Sequence, residues 1–181
     1  MKPGSRTLGI AFSDSADRSR IAGAVVRADR TADGFVFGEC SVGELDATQS
    51  LISLYDRLDR EDVQRVMTAG IAPAWFNLID LVQLGQAVNR PVIAVSFEDS
   101  AGLETVLQRE FDEDELTSRM AIYDRLPDRD RVRVAGHEFF IRAVGLDRED
   151  ASRVVKSHVA DGRPEPLRVA RLAARAYREV A

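Results

Sequence analysis

A chain of 181 residues with 45% hydrophobic and 30% charged residues is long enough to bury a substantial core, and its mixed composition excludes a disordered tail, a collagenous repeat or a membrane bundle. The formal net charge of −5 excludes a general attraction to nucleic acid, so any such binding has to come from a local basic face. Cys40 is the only cysteine, which excludes an internal disulfide and a cysteine-based zinc site, and His137 and His158 are too few for a histidine metal cage.

The opening Met1-Lys2-Pro3-Gly4-Ser5-Arg6 leads into a strand-like segment and not a signal-peptide core, and the longest apolar runs are only a few residues. The expectation is a cytoplasmic protein with no membrane contact. Lys2 and Lys156 are the only lysines among 25 basic residues. That preference for arginine, with aspartate exceeding glutamate, suits a GC-rich genome and a halophilic habitat.

Thr7–Ser13 and Ile21–Arg27 read as buried strands, and Phe35–Val42 as a third after the hairpin-type turn signal Asp33-Gly34. Short connections make the three antiparallel. Asp46 is placed to cap a helix whose apolar positions Leu51, Ile52, Leu54, Tyr55 and Leu58 repeat at helical spacing. A short strand over Arg65–Thr68 ends at Ala69-Gly70, a helix is predicted from about Trp75 to Val88, and Pro91–Val95 is a strand of the kind buried on both faces. Strand, helix, strand implies parallel neighbours joined by right-handed crossovers. Helices are expected over Leu103–Phe111 and Glu115–Leu126, strands over Val132–Val134 and Glu138–Val144, and helices over Arg148–Ala160 and Pro166–Val180. With no repeat or linker of domain-separating length, residues 1–181 read as one α/β domain: a β-β-β-α-β-α-β core of ribonuclease-H-like order, a mixed sheet with a C-terminal α/β extension.

Motifs that would name a chemistry are few. Ser13, Ser41 and Ser96 lie near strand ends without a Gly-x-Ser-x-Gly turn, and no phosphate-binding glycine loop is present. Trp75, Phe76 and Asn77 follow Pro73 at the start of the second core helix, where aromatic side chains either complete a core or interface, or stack on a base. Arg168, Arg171, Arg175 and Arg178 fall on one helical stripe, suited either to a phosphate backbone or to surface ion pairs. Arg125, Arg129, Arg131 and Arg133 form a second basic cluster, diluted by Asp124, Asp128 and Asp130.

Four segments in order, Leu8-Gly9-Ile10-Ala11, Gly43-Glu44-Leu45-Asp46-Ala47-Thr48, Ala69-Gly70-Ile71-Ala72-Pro73-Ala74-Trp75-Phe76-Asn77-Leu78-Ile79-Asp80 and Pro164-Glu165-Pro166-Leu167-Arg168-Val169-Ala170, resemble an archaeal endonuclease-V-like family of the ribonuclease-H-like superfamily. The resemblance implies carboxylates at the ends of core strands that hold magnesium or manganese for phosphodiester hydrolysis. This chain departs from that pattern. Ala11 and Ala69 stand where acids are implied, Arg171 stands where an acid or histidine is implied, and Asp46 alone matches. A methyl group ligates no metal and a guanidinium repels one.

The leading expectation is therefore a noncatalytic relative with no cofactor, associated with DNA or RNA or serving as a docking protein, whose former metal site has become an ion pair between Asp46 and Arg171 or Arg168. Two alternatives stand beside it. One is a metal-dependent endonuclease with a rearranged acid set that includes Asp46 and Asp14 and takes magnesium or manganese. The other is an assembly module in which Trp75 and Phe76 meet a second copy or a protein partner. Asp46 with Thr48 also reads simply as a helix cap.

Overall fold

The first three strands of the computed structural model, which describes residue 2 and residues 4–181, are β1 (Arg6–Asp14), β2 (Arg18–Arg27) and β3 (Ala32–Ser41). They pair antiparallel, with Ala11 opposite Ala22 and Ala22 opposite Phe37. The chain continues through α1 (Ala47–Leu58), β4 (Val63–Ala69), a single turn α2 (Pro73–Phe76), α3 (Leu81–Val88), β5 (Val92–Ser96), α4 (Glu104–Glu110) and α5 (Glu113–Tyr123). It ends with β6 (Asp130–Val134), β7 (His137–Val144), α6 (Arg148–His158) and α7 (Glu165–Val180). One seven-stranded mixed sheet results, in the order β3-β2-β1-β4-β5-β7-β6, with β1, β4 and β5 parallel. This is the mixed α/β arrangement that the element order predicts.

Alternation along the strands supplies two apolar faces. Leu8, Ile10, Ile21 and Val25 pack under Leu51 and Leu54 of α1 and Leu81 and Leu84 of α3. On the opposite face Met67, Ile93, Phe139 and Ile141 pack under Ala151 and Val155 of α6. Beside them α7 rides on β1 and β2 through a seam of small residues, Ala11, Ala24, Val26 and Ala170. The approach is close enough that a Cβ on Gly9 would lie 2.2 Å from the Pro166 carbonyl oxygen. Glycine is required there by space. Among the described residues no helix is long and apolar enough to cross a membrane.

Two local expectations are corrected. The β2–β3 turn falls at Ala28–Thr31, where Arg27 N–H bonds the Thr31 carbonyl and Arg30 takes a positive φ of 71°. Asp33-Gly34 instead lies within β3, with Gly34 opposite Val25. There Asp33 gathers the guanidiniums of Arg6, Arg27 and Arg60, and the Arg6 hydrogen bond leads in holding its carboxyl down at about 2.

The second correction concerns residues 75–88. The helix starts only at Leu81, capped by Asp80, whose carboxylate accepts from Val82 N and Gln83 N. Ahead of it Ala74, Trp75 and Phe76 take φ of 48°, 54° and 58°, a left-handed run without glycine. Each such residue costs about 1–2 kcal/mol against a right-handed one. Arg119, 2% exposed, restrains the run: it donates to the carbonyls of Phe76 and Gly43 while its guanidinium lies 3.6 Å from the centre of the Phe111 ring.

Candidate functional site

At the carboxyl ends of β1, β4 and β5, the position where open α/β sheets bind ligands, lies a cleft of about 480 Å³. Its walls include Ala11 and Asp14 of β1, Ala69 at the end of β4, Glu98 after β5, and Arg163 and Arg171 from the entry and second turn of α7. A second cavity, of about 460 Å³, shares the Ala69-Gly70 edge and is lined on its far side by Tyr123, Phe140 and Arg142.

Of the four positions expected to converge, three do so: Ala11, Ala69 and Arg171 line the same cleft. Asp46 does not. Its carboxylate is turned to the β3 end, where it accepts from Ser41 N at 3.1 Å, Ser41 Oγ at 2.9 Å and Asn77 Nδ2 at 2.6 Å. Burial raises its pKa, but the bonds from Asn77 and Ser41 outweigh that and hold it below the ordinary carboxylate value. The expected ion pair with Arg171 or Arg168 is thus replaced by neutral donors. Arg168 pairs instead with Glu165 one turn back, at 2.7 and 2.8 Å. Nor does Asp46 cap α1 through its side chain.

Asn77 performs that task from 30 residues away. Its Oδ1 accepts from Ala47 N at 2.9 Å and its Nδ2 also donates to the Ser41 carbonyl at 2.8 Å. With 0% exposure and both amide atoms engaged, Asn77 holds the loop together and does not face a ligand, a correction to its reading beside Trp75. Trp75 is 55% exposed and meets Phe76 edge-on at 5.4 Å, while Phe76 packs on Phe111 at 5.9 Å.

Along α7, Pro166, Leu167, Ala170 and Ala174 are buried against the sheet, so Arg168, Arg171, Arg175 and Arg178 share the exposed side. Arg178 donates to the Asp14 carbonyl at 3.1 Å, and the Asp14 carboxylate accepts from Ser19 Oγ at 2.5 Å. Arg163 and Arg171 are the two arginines of the cleft wall. Among the described residues neither has a carboxylate partner, and the Arg163 guanidinium lies 4.0 Å from the centre of the Phe97 ring. Burial, and then the charge of Arg171, depress the Arg163 pKa. Two like charges therefore face one cleft with nothing neutralising them directly. By contrast Arg125, Arg129, Arg131 and Arg133 are spoken for by Asp80, Asp99 and Glu138.

A divalent ion does not fit these residues. Ala11 is 2% exposed within the alanine seam against Ala170, and Ala69 packs on the same seam. The cleft carboxylates, Asp14 and Glu98, share their walls with two guanidiniums. Among the described residues no group of three or more His, Cys, Asp or Glu side chains is placed to hold a metal. Octahedral magnesium requires several converging oxygens, and the cleft does not offer them.

Comparison with known proteins agrees with this geometry in fold. The chain is 33% identical over 164 residues to a UPF0215 protein of Pyrobaculum calidifontis, covering 89% of each. The structure of a protein of unknown function from Archaeoglobus fulgidus superposes with a TM-score of 0.84 at 27% identity, over 96% of this chain and 98% of that one. Endonuclease V of Ciona intestinalis, solved with a 24mer DNA containing an inosine followed by a ribo-adenosine, superposes at 0.66 with 13% identity, over 97% and 86%. The family model described as Endonuclease dU matches residues 3–178. A ribonuclease-H-like sheet shared with endonuclease V, archaeal relatives at this identity and a family match along nearly its whole length place the chain in the Endonuclease dU family.

Proposed function

We propose that this member of the Endonuclease dU family binds nucleic acid in the cleft of Ala11, Ala69, Arg163 and Arg171 without metal-dependent strand cleavage. The observation that carries this reading is the exchange at the strand ends. Methyl groups occupy the positions where hard oxygen ligands are implied, and two arginines without carboxylate partners face the same space. Guanidinium groups take phosphate oxygens in bidentate fashion without any ion. Asp14 and Glu98 share the cleft walls, so what holds a polyanion in this chain of net charge −5 is direct contact of phosphate with the two guanidiniums and not a net positive field. The family description and the DNA-bound endonuclease V relative support DNA as the ligand to test first.

Purified protein is incubated with labelled DNA bearing deoxyuridine or inosine, and with undamaged duplex and single strands, in magnesium, manganese or EDTA. The reading predicts binding that weakens with salt and survives EDTA, with intact strands throughout. Cleavage that requires the metal contradicts it. In the competing nuclease the carboxylates are Asp46 and Asp14; Asp46 is engaged by Ser41 and Asn77, and Asp14 by Ser19.

A further inference from the structure

We propose that Trp75 is a stacking platform for an unpaired nucleobase, so that the cleft prefers single-stranded over duplex nucleic acid. This rests on the nucleic-acid reading above. Trp75 is the only tryptophan in the chain, and more than half of it is open to solvent. Burying an indole is among the largest apolar gains available to a fold, yet this one is displayed, and from a backbone that disfavours it.

With φ of 54° and ψ of 66°, position 75 is one that glycine occupies without steric cost and that a bulky residue resists. The turn is nevertheless firmly held. Gly43 N–H donates to the Ala74 carbonyl at 2.8 Å, Asn77 N–H to the Pro73 carbonyl at 2.9 Å, and buried Arg119 to the Phe76 carbonyl. The backbone that carries the indole is therefore held, and the ring meets Phe76 edge-on at 5.4 Å, which limits the entropy lost when a base stacks on it.

Placement supplies the occupant. Pro73 and Ala74, immediately before the tryptophan, line the same cleft as Arg163 and Arg171. A ligand that satisfies both features carries phosphate for the guanidiniums and an aromatic face for the indole. Bases within a duplex are already stacked and present only edges and backbone; an unpaired base offers its face.

The test uses the full chain and the fluorescence of its single tryptophan. A 12-nucleotide single-stranded DNA of mixed sequence and the matching duplex are titrated at low salt, following end-label anisotropy and tryptophan emission together. The proposal predicts saturable quenching by the single strand with the anisotropy midpoint, and weaker binding of the duplex. Trp75→Phe should retain most of the affinity. Trp75→Gly should lose about five- to a hundredfold while its melting temperature is unchanged or higher, an opposition that a purely structural tryptophan would not give. Single-strand binding with unchanged emission and no loss in Trp75→Gly overturns the platform but leaves the cleft reading intact. Self-association in the absence of nucleic acid, seen by sedimentation as wild-type concentration rises and lost in Trp75→Gly, overturns it in favour of a second copy. Absence of binding to either DNA overturns the cleft reading itself.

Discussion

Replacing Asn77 by aspartate changes one atom's chemistry and almost nothing of its shape. The amide nitrogen that donates to Asp46 at 2.6 Å and to the Ser41 carbonyl at 2.8 Å becomes an oxygen facing two acceptors, while Oδ1 still accepts from Ala47 N. A hydrogen bond to a charged group, worth about 1.5–3 kcal/mol, turns into a contact between two carboxylates. Such a pair cannot ionise fully, and one member keeps a proton. The lost charge-assisted bond and the carboxyl pressed against its neighbour together cost roughly 3–5 kcal/mol at neutral pH, a large share of the roughly 5–15 kcal/mol by which domains are stable.

The sign follows from linkage. Above the ordinary carboxyl value the folded variant holds a proton that the unfolded chain has released. Its deficit relative to wild type therefore grows as pH rises from about 4 and levels off above the raised value. Urea unfolding of both proteins at intervals from pH 4 to 8 measures the difference, in which other titrating groups cancel. A deficit below ~1 kcal/mol that does not vary with pH would refute the bridge drawn between Asn77, Asp46 and Ser41.

Other expectations follow from the same structure. His158 is fully buried, its Nε2 lies 2.9 Å from Thr7 Oγ1, and its Nδ1 has no hydrogen-bond partner; burial, aided by Arg65, depresses its pKa to about 4. The unfolded chain then takes up the proton first, so wild-type stability should fall by about 3 kcal/mol between pH 6.5 and pH 4, and His158→Gln should flatten that window in denaturant titrations. Gly9→Ala forces α7 off β1 because the new methyl meets the Pro166 backbone at 2.2 Å; calorimetry should show a loss of ~3 kcal/mol or more. Ala11→Asp puts a charge where 2% of the residue is exposed, and its melting temperature should recover as pH falls toward the carboxyl value and the group neutralises.

The sheet was legible because short apolar runs such as Thr7–Ser13 and Pro91–Val95 are bounded by turn residues and answer to local rules. The cleft was legible in part, since Ala11, Ala69 and Arg171 are strand-end and helix positions whose convergence follows from topology. Three features were not. None of Ala74, Trp75 and Phe76 is glycine, so nothing local announces a left-handed turn, and the apolar run into Leu81 imitates a longer helix. Asn77 caps α1 across 30 residues, while Asp46 satisfies every local rule for a cap that it does not make. Arg163 precedes the helical stripe of Arg168, Arg171, Arg175 and Arg178, and its lack of a carboxylate partner in the cleft depends on which acids the fold brings near.

The most direct test of the account is a binding titration of labelled DNA in EDTA at several salt concentrations, for wild type and for Arg163→Ala with Arg171→Ala. If the two guanidiniums hold phosphates, wild type binds without metal, and the double variant binds more weakly with a slope of log K against log salt shallower by about 1.4–1.8, two phosphate contacts' worth. Binding that appears only with divalent metal, or a slope unchanged in the double variant, contradicts it.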